Sequence, residues 1–494
     1  MTETEYQLLT RVCDDILLAP NPSVERIGIG WLHVLREHPH NLAPYLDLFN
    51  DRSSASSGWI RRTAEGMLLG LRALRESGRW FYGDELPKSA DVLFVSHFLN
   101  ETQAGAGNDF YFGELPSELA SRGKTCVVAL LNHSGRSPRF LRAKWVPASV
   151  PRILLSSTIG LRGDVALRRR LSRESLRLRS EAKAALPAFH RRTLLFASGH
   201  AGSMASVSNL RIGEQIAELV RRTRPKAIVL TYEGHAWERL AFAAARRAHP
   251  QIRCIGYHHT VLFRRQHALK RRLGPEFDPD IVLTAGAATR DQLAEAPGLK
   301  GIPIAVLGTH RRELTPRSRP PGEPPTCLVI PEGLPGECVF LFKFALACAN
   351  LAPTIRFVFR MHPVLPFASI VALDRRLGSP PENVTLSEAL IADDFSRSRW
   401  ALYRGSSAVV HAVLAGLRPV YVSRRDEMPI DPLHQLASWR TVTETPDDCV
   451  RQINLDMATD QESLVSEAQP AIRYCEKYFM PVDVAALESA IDFN

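Results

Sequence analysis

Two short motifs in the C-terminal half carry the clearest chemistry. Arg360-Met361-His362-Pro363 directly follows the apolar run Phe357-Val358-Phe359. Tyr403-Arg404-Gly405-Ser406-Ser407 directly precedes the apolar stretch 408–417. Proline ends a β-ladder, so a strand closing on His-Pro presents an imidazole at its C-terminal edge. A Gly-Ser-Ser opening a helix offers two hydroxyls and free backbone N–H groups at a positive dipole end. In one α/β domain both can face the crevice at the strand ends, where a nucleotide phosphate would sit. The candidate binding residues are therefore Arg360, His362, Pro363, Gly405, Ser406 and Ser407.

Four further constellations could line the same crevice. Tyr232-Glu233-Gly234-His235-Ala236-Trp237-Glu238 follows an expected strand over 226–230 and opens a helix. Glu233 is the first candidate for a general base that takes an acceptor hydroxyl's proton. Glu238 is the second; its helical neighbours Ala241 and Phe242 offer it no basic partner. Either carboxylate could instead serve only the helix dipole. Gly256-Tyr257-His258-His259-Thr260 leaves another strand, and successive side chains alternate, so one histidine should face the cleft. His259 is the candidate taken forward. Pro331-Glu332-Gly333 ends the first strand of the second half, where Glu332 could accept from a ribose diol. The loop 96–108 contains His97 and Gly105-Ala106-Gly107 but no complete GxGxxG, so an acceptor-side loop or an ordinary flexible loop fits it better than a dinucleotide site. The acidic loop 426–431 reads as an ordinary loop.

The elements that must hold these residues follow from the hydrophobic pattern. Residues 1–88 read as a helical extension, with helical spacing over 24–35 and 63–74 and no chemistry of their own. From residue 89 to 309, apolar runs at 92–95, 125–131, 226–230, 252–256, 280–284 and 302–307 alternate with helical segments. That alternation predicts a doubly wound parallel sheet. Residues 310–325 are dense in proline and arginine and read as a linker. A second series, 326–458, repeats the pattern, and 459–494 reads as a helical tail. The expected fold class is α/β, with two Rossmann-like domains facing a cleft.

Composition narrows the function classes. The 494 residues are 45% hydrophobic and 23% charged, enough for real cores. The net charge is +10, from 62 basic and 52 acidic residues. The excess is concentrated in an arginine-rich stretch, 162–193, and in Arg264, Arg265, Lys270, Arg271 and Arg272. Such patches suit an anionic membrane surface or acidic glycan, although a solvated helix face explains them equally well. They are not interleaved with stacking aromatics, so no nucleic-acid partner is expected. The eight cysteines show no zinc spacing and sit in apolar runs, as small buried thiols do in a reducing compartment. No apolar segment reaches membrane-spanning length and no signal peptide opens the chain. The expected location is cytoplasmic, at most peripheral to the inner face of the membrane.

The His362-Pro363 and Ser406-Ser407 motifs, in this order within the second α/β domain, resemble those of bacterial GT-B glycosyltransferases that use CMP-activated acidic sugars. These include sialyltransferases and capsule Kdo transferases. The CDP-glycerol glycerophosphotransferases are more distantly similar. The resemblance implies that His362, Ser406 and Ser407 hold the CMP phosphate and that Pro363 lies near the cytosine. It implies that an acidic residue before glycine in the first domain, here Glu233, is the general base. No metal or resident cofactor is implied. The expected substrates are a CMP-sugar donor carrying Kdo or a nonulosonic acid, and a surface glycan or its lipid-linked precursor. A CDP-polyol phosphotransferase, a nucleotide-sugar 2-epimerase and a non-enzymatic basic scaffold are the alternatives.

Overall fold

The computed structural model describes residues 1–20, 22–50, 79–105, 109–310, 324–362 and 365–492. Eight strands form a first sheet: β1 (Phe81–Gly83), β2 (Val92–Phe98), β3 (Cys126–Asn132), β4 (Arg152–Leu155), β5 (Ala227–Thr231), β6 (Arg253–His258), β7 (Ile281–Thr284) and β8 (Ile304–Val306). Their order is β1-β4-β3-β2-β5-β6-β7-β8. The pairings are parallel except that of β1 with β4. A second, parallel sheet holds β9 (Thr326–Ile330), β10 (Arg356–Phe359), β11 (Val384–Leu386), β12 (Trp400–Tyr403), β13 (Arg418–Val422) and β14 (Thr441–Thr443). Its order is β11-β10-β9-β12-β13-β14. This is the expected arrangement of two Rossmann-like domains, the GT-B architecture.

The strands are continuous apolar runs because both sheet faces are covered. In β2, Leu93 and Val95 enter the core on one face, and Val92 and Phe94 enter the core on the other. The connections decide where a ligand can lie. From β2 the chain steps outward to β3 and β4, then returns to the opposite side for β5 to β8. The second sheet repeats this, with β10 and β11 on one side of β9 and β12 to β14 on the other. Each reversal leaves a crevice beyond the strand C-termini. The crevices open between β2 and β5, and between β9 and β12.

The extension differs from expectation, and the tail, helical as expected, divides between the two domains. The extension starts with helix Glu3–Leu17, capped by Thr2 and Glu5. The expected helix over 24–35 shrinks to Val24–Ile27 and a 3-10 turn, Gly30–Leu32. Gly28 and Gly30 weaken the helix there. The expected helix over 63–74 lies outside the described residues, as does most of the linker. The extension docks through Arg26, which is buried and paired with Glu174 and Glu181 of helix Leu161–Ala184. The tail is not one unit. Helix Gln461–Cys475 packs on helix Ala408–Leu414 of the second domain. Helix Val484–Asp492 crosses back and puts Val484, Leu487, Ala490 and Ile491 into the core of the first sheet. Between the domains, Val261 and Phe263 share an apolar cluster with Tyr403, Val409 and Val410. All eight cysteines are buried free thiols.

Candidate functional site

In the first domain the crevice between β2 and β5 is bridged by a side-chain pair. His97, on β2, meets the Thr231 hydroxyl of β5 through Nε2 at 3.0 Å. Its Nδ1 meets Nε2 of the exposed His133 at 2.9 Å. Burial pushes the His97 pKa down to about 3, and His133 adds to the effect. Burial lowers His133 as well. Both rings are therefore neutral near pH 7. The ring edges of Tyr111 and Trp237 close around His97, with centroids at 5.3 and 5.5 Å.

The turn after β5 carries Glu233. Its carboxylate lies 3.5 Å from Nε2 of His235, and both side chains are about one-third exposed, at 35% and 36%. Burial alone would raise Glu233, but the hydrogen bond to His235 and the charges of His259, His235 and His258 outweigh it and hold the carboxyl well below its ordinary range. For His235, burial works downward, while the Glu233 hydrogen bond and the charges of Glu238 and Glu233 win and raise it. The pair is thus an ionised carboxylate beside an imidazole inclined to protonate. Gly234 makes the turn possible: its φ is +87°, and a Cβ there would overlap the Ala268 carbonyl. Arg239, fully buried, anchors the opposing wall through Asp278 and the carbonyls of Ala268 and Arg271.

Glu238 does not face the cleft. Its carboxylate folds back onto the backbone N–H groups of Glu233, Gly234 and His235, at 2.7–3.1 Å. It caps helix Ala236–Ala248 and fixes the turn that presents Glu233. Burial pushes it up to about 7, the charge of His235 holds it back, and Glu233 adds to the rise. Of the two adjacent histidines, His258 is buried, with Nδ1 3.0 Å from the Tyr232 carbonyl. His259 is the half-buried one and stands 4.4 Å, centroid to centroid, from the ring of Tyr111. Alternation along the strand thus leaves one imidazole, His259, at the cleft.

The second crevice gathers the ends of three adjacent strands. Glu332 and Gly333 follow β9, His362 follows β10, and Gly405 and Ser406 follow β12. A Cβ on Gly333 would lie 3.0 Å from the His362 ring, and one on Gly405 would overlap the Glu332 carboxylate. Glycine at 405 therefore lets the two strand ends close together. Burial lowers the His362 pKa, with Glu332 opposing, so the ring is neutral near pH 7 rather than an imidazolium. Ser406 is buried. Ser407 is half-buried at the start of helix Ala408–Leu414, and its side chain makes no capping bond. Pro363 lies outside the described residues.

Arg360 is turned away from this group. Its Nη1 donates to the Ala389 carbonyl at 2.9 Å and is ion-paired with Asp394. It braces the β10–β11 side of the domain, and no local pattern in the sequence signals that distant partner. Arg404, also buried, pairs with Glu337 and Glu427. Asp431 is tied to Arg440 and the Tyr403 hydroxyl. The acidic loop is thus a set of internal braces.

Two residues that no sequence signal singled out, Arg36 and His38, come from the N-terminal extension, which reaches the second crevice. His38 is buried and its Nε2 lies 3.2 Å from Glu332 Oε1. The Arg36 guanidinium stands 4.0 Å above the Phe263 ring, with Nη2 3.8 Å from Glu332 Oε2. Burial alone would raise the Glu332 pKa, but the His38 hydrogen bond and charge, then the charges of Arg36 and Arg404, outweigh it and hold the carboxyl below its ordinary range. No periodicity in the sequence flags a loop that reaches a second domain.

The arginine-rich stretch forms helices Leu161–Ala184 and Ala188–Ala201. Part of its charge is used internally: Arg170 pairs with Glu25 and Glu214, and Arg177 with Glu174 and Glu181. Leu176 and Leu186 are exposed among the arginines. No described helix is long and apolar enough to cross a membrane.

No protein-family profile matches the chain, and no curated protein matches it in sequence. Among solved structures, it is similar to the glycosyltransferase of kitacinnamycin, at 14% identity and a TM-score of 0.48, over 82% of this chain and 100% of that one. Acinetobacter baumannii MurG gives 13% identity and a TM-score of 0.46, over 81% of this chain and 99% of that one. A putative UDP-N-acetylglucosamine 2-epimerase from Listeria monocytogenes gives 14% and 0.46, over 81% and 96%. Likenesses at this level leave substrate and reaction to the residues of this chain.

Proposed function

We propose that the protein is a glycosyltransferase that moves an acidic 3-deoxy-ulosonic sugar, Kdo or a nonulosonic acid, from a CMP-linked donor to a surface glycan or its lipid-linked precursor. The supporting observation is the placement of two complementary groups at the two sheet reversals: Glu233 with its histidines after β5, and Glu332, His362 and Gly405-Ser406 after β9, β10 and β12. In this reading the second crevice holds the donor. His362 donates to the phosphate, and the Ser406 and Ser407 hydroxyls and nearby backbone N–H groups share its charge. Glu332 lies where a ribose could be met. The departing CMP carries one phosphate, whose charge these donors stabilise as the glycosidic bond breaks.

The acceptor hydroxyl binds on the first-domain side. Glu233, ionised across the working range, takes its proton as the new bond forms, along an inverting path. Its depressed pKa makes it a weak base, so its contribution is position and full ionisation. His259 lies beside it to orient the acceptor. The exposed face of helices Leu161–Ala184 and Ala188–Ala201 would meet anionic acceptor or lipid.

The test is thermal melting with CMP, CDP, UDP, GDP and ADP, on the natural chain and on His362→Ala. A ligand that binds the native state raises the melting temperature by linkage. CMP should raise it, and the variant should bind CMP roughly 10- to 100-fold more weakly, about 1.5–3 kcal/mol for a hydrogen bond to a charged group. A shift with UDP alone would replace this reading with a UDP-sugar transferase or epimerase. No shift with any nucleotide would remove the donor site.

A further inference from the structure

The N-terminal extension reaches the donor crevice with two basic side chains, and the proposed function assigns them no role. Arg36 is 24% exposed, braced on Phe263 in the seam between the domains, and has one long ion pair, 3.8 Å to Glu332. Among the described residues it donates no hydrogen bond of ordinary length. A guanidinium presents five N–H donors in a planar fork that matches a carboxylate. Bracing on an aromatic ring pre-orients that fork. His38 and Glu332 fix the loop that carries it. Glu332 in turn abuts Gly405, one residue before Ser406. Arg36 is thus held at the donor crevice with most of its donors uncommitted.

Donor chemistry supplies the missing partner. In a CMP-linked ulosonic acid, the carboxylate and the phosphate oxygen are borne by the same anomeric carbon. A phosphate held by His362 and Ser406 therefore places a carboxylate in the immediate neighbourhood, and an ordinary aldose donor would place none there. We infer that Arg36 binds the donor's sugar carboxylate, so that the N-terminal extension, and not the two Rossmann-like domains alone, selects an acidic sugar. This rests on the CMP-sugar reading. The Glu332 carboxylate, already met by Arg36 and His38, keeps the loop in place before the donor arrives.

The experiment is titration calorimetry of the full chain with two probes, CMP and CMP-N-acetylneuraminate, on the natural protein, Arg36→Gln, Arg36→Lys and His362→Ala. The natural protein should bind the sugar nucleotide more tightly than CMP. Arg36→Gln should leave CMP affinity within about twofold and weaken the sugar nucleotide at least tenfold. Arg36→Lys should recover part of that loss, because it keeps the charge without the fork. His362→Ala should weaken both probes. Equal binding of both probes by the natural protein and by Arg36→Gln would overturn the inference and leave the CMP site standing. Parallel weakening of both probes in Arg36→Gln would also overturn it, since Arg36 would then act only as a brace between extension and crevice. Failure of the natural protein to bind either probe would overturn the CMP-sugar reading and this inference with it.

Discussion

At the scale of single residues, the Glu233–His235 pair sets an ionised carboxylate beside an imidazole inclined to protonate. Glu233 has a native pKa below its unfolded value, so its contribution to stability is present above the ordinary carboxylate range and lost as pH falls through the native value. His235 has a native pKa above 6.5, so its contribution is complete below that value and lost as pH rises through the native one. The ion pair therefore spans the interval between the two native values. Activity that depends on Glu233 should have an acid limb below the ordinary glutamate range and an alkaline limb set by His235. Replacing His235 by glutamine removes the main partner that lowers Glu233. The acid limb of kcat/KM should then move up towards about pH 4.3, the ordinary value for glutamate, and the alkaline limb should vanish. A pH–rate profile with CMP-N-acetylneuraminate as donor checks both movements, and limbs that stay in place would detach Glu233 from the proton transfer.

At the scale of elements, the turn between β5 and helix Ala236–Ala248 is built for position. Glu238 ties three consecutive N–H groups, and Gly234 at φ +87° lets the turn lie against the Ala268 carbonyl. The obstacle here is backbone, which cannot swing aside as a side-chain end can. Gly234→Ala combines left-handed strain with that overlap and should cost about 2–4 kcal/mol of stability. Urea unfolding checks this; a loss under about 1 kcal/mol would mean that the 267–270 segment yields. Such a turn was half legible in sequence. Glu-Gly between an apolar run and a helical pattern marks a strand exit. Which carboxylate faces the cleft was not legible, because Glu233 and Glu238 differ only in what the folded backbone offers them.

At the scale of the whole molecule, the ends of the chain join parts that the sequence separates. Helix Val484–Asp492 completes the core of the first sheet although it follows the second domain. Leu487 is fully buried there, so Leu487→Ala should cost about 2–5 kcal/mol, measured as a lowered denaturation midpoint. The substitution should act on the first domain while leaving the second-domain residues His362 and Ser406 in place. The N-terminal extension works in the opposite sense. Arg26 seats it on the first domain through two carboxylates, and Arg36 and His38 carry it to Glu332 of the second. Removing Arg26 would leave the buried Glu174 carboxylate without its closest ion-pair partner, a destabilising change.

The sequence by itself determined the strands. Runs such as Val92-Leu93-Phe94-Val95 and Thr326-Cys327-Leu328-Val329-Ile330 are apolar on both faces, and only a sheet covered on both sides can bury them. It also determined that the candidate site residues lie at strand exits, because glycine, proline and the start of helical spacing are local signals. The tertiary structure alone decided which exits meet. The reversals of strand order bring His97 to Thr231 and Gly405 to Glu332. It also decided that Arg360 turns to Asp394 and that Arg36 reaches Glu332. The cause is one of range: periodicity reports the environment of a residue's own element. A pairing across 294 positions, as between His38 and Glu332, depends on how whole elements pack.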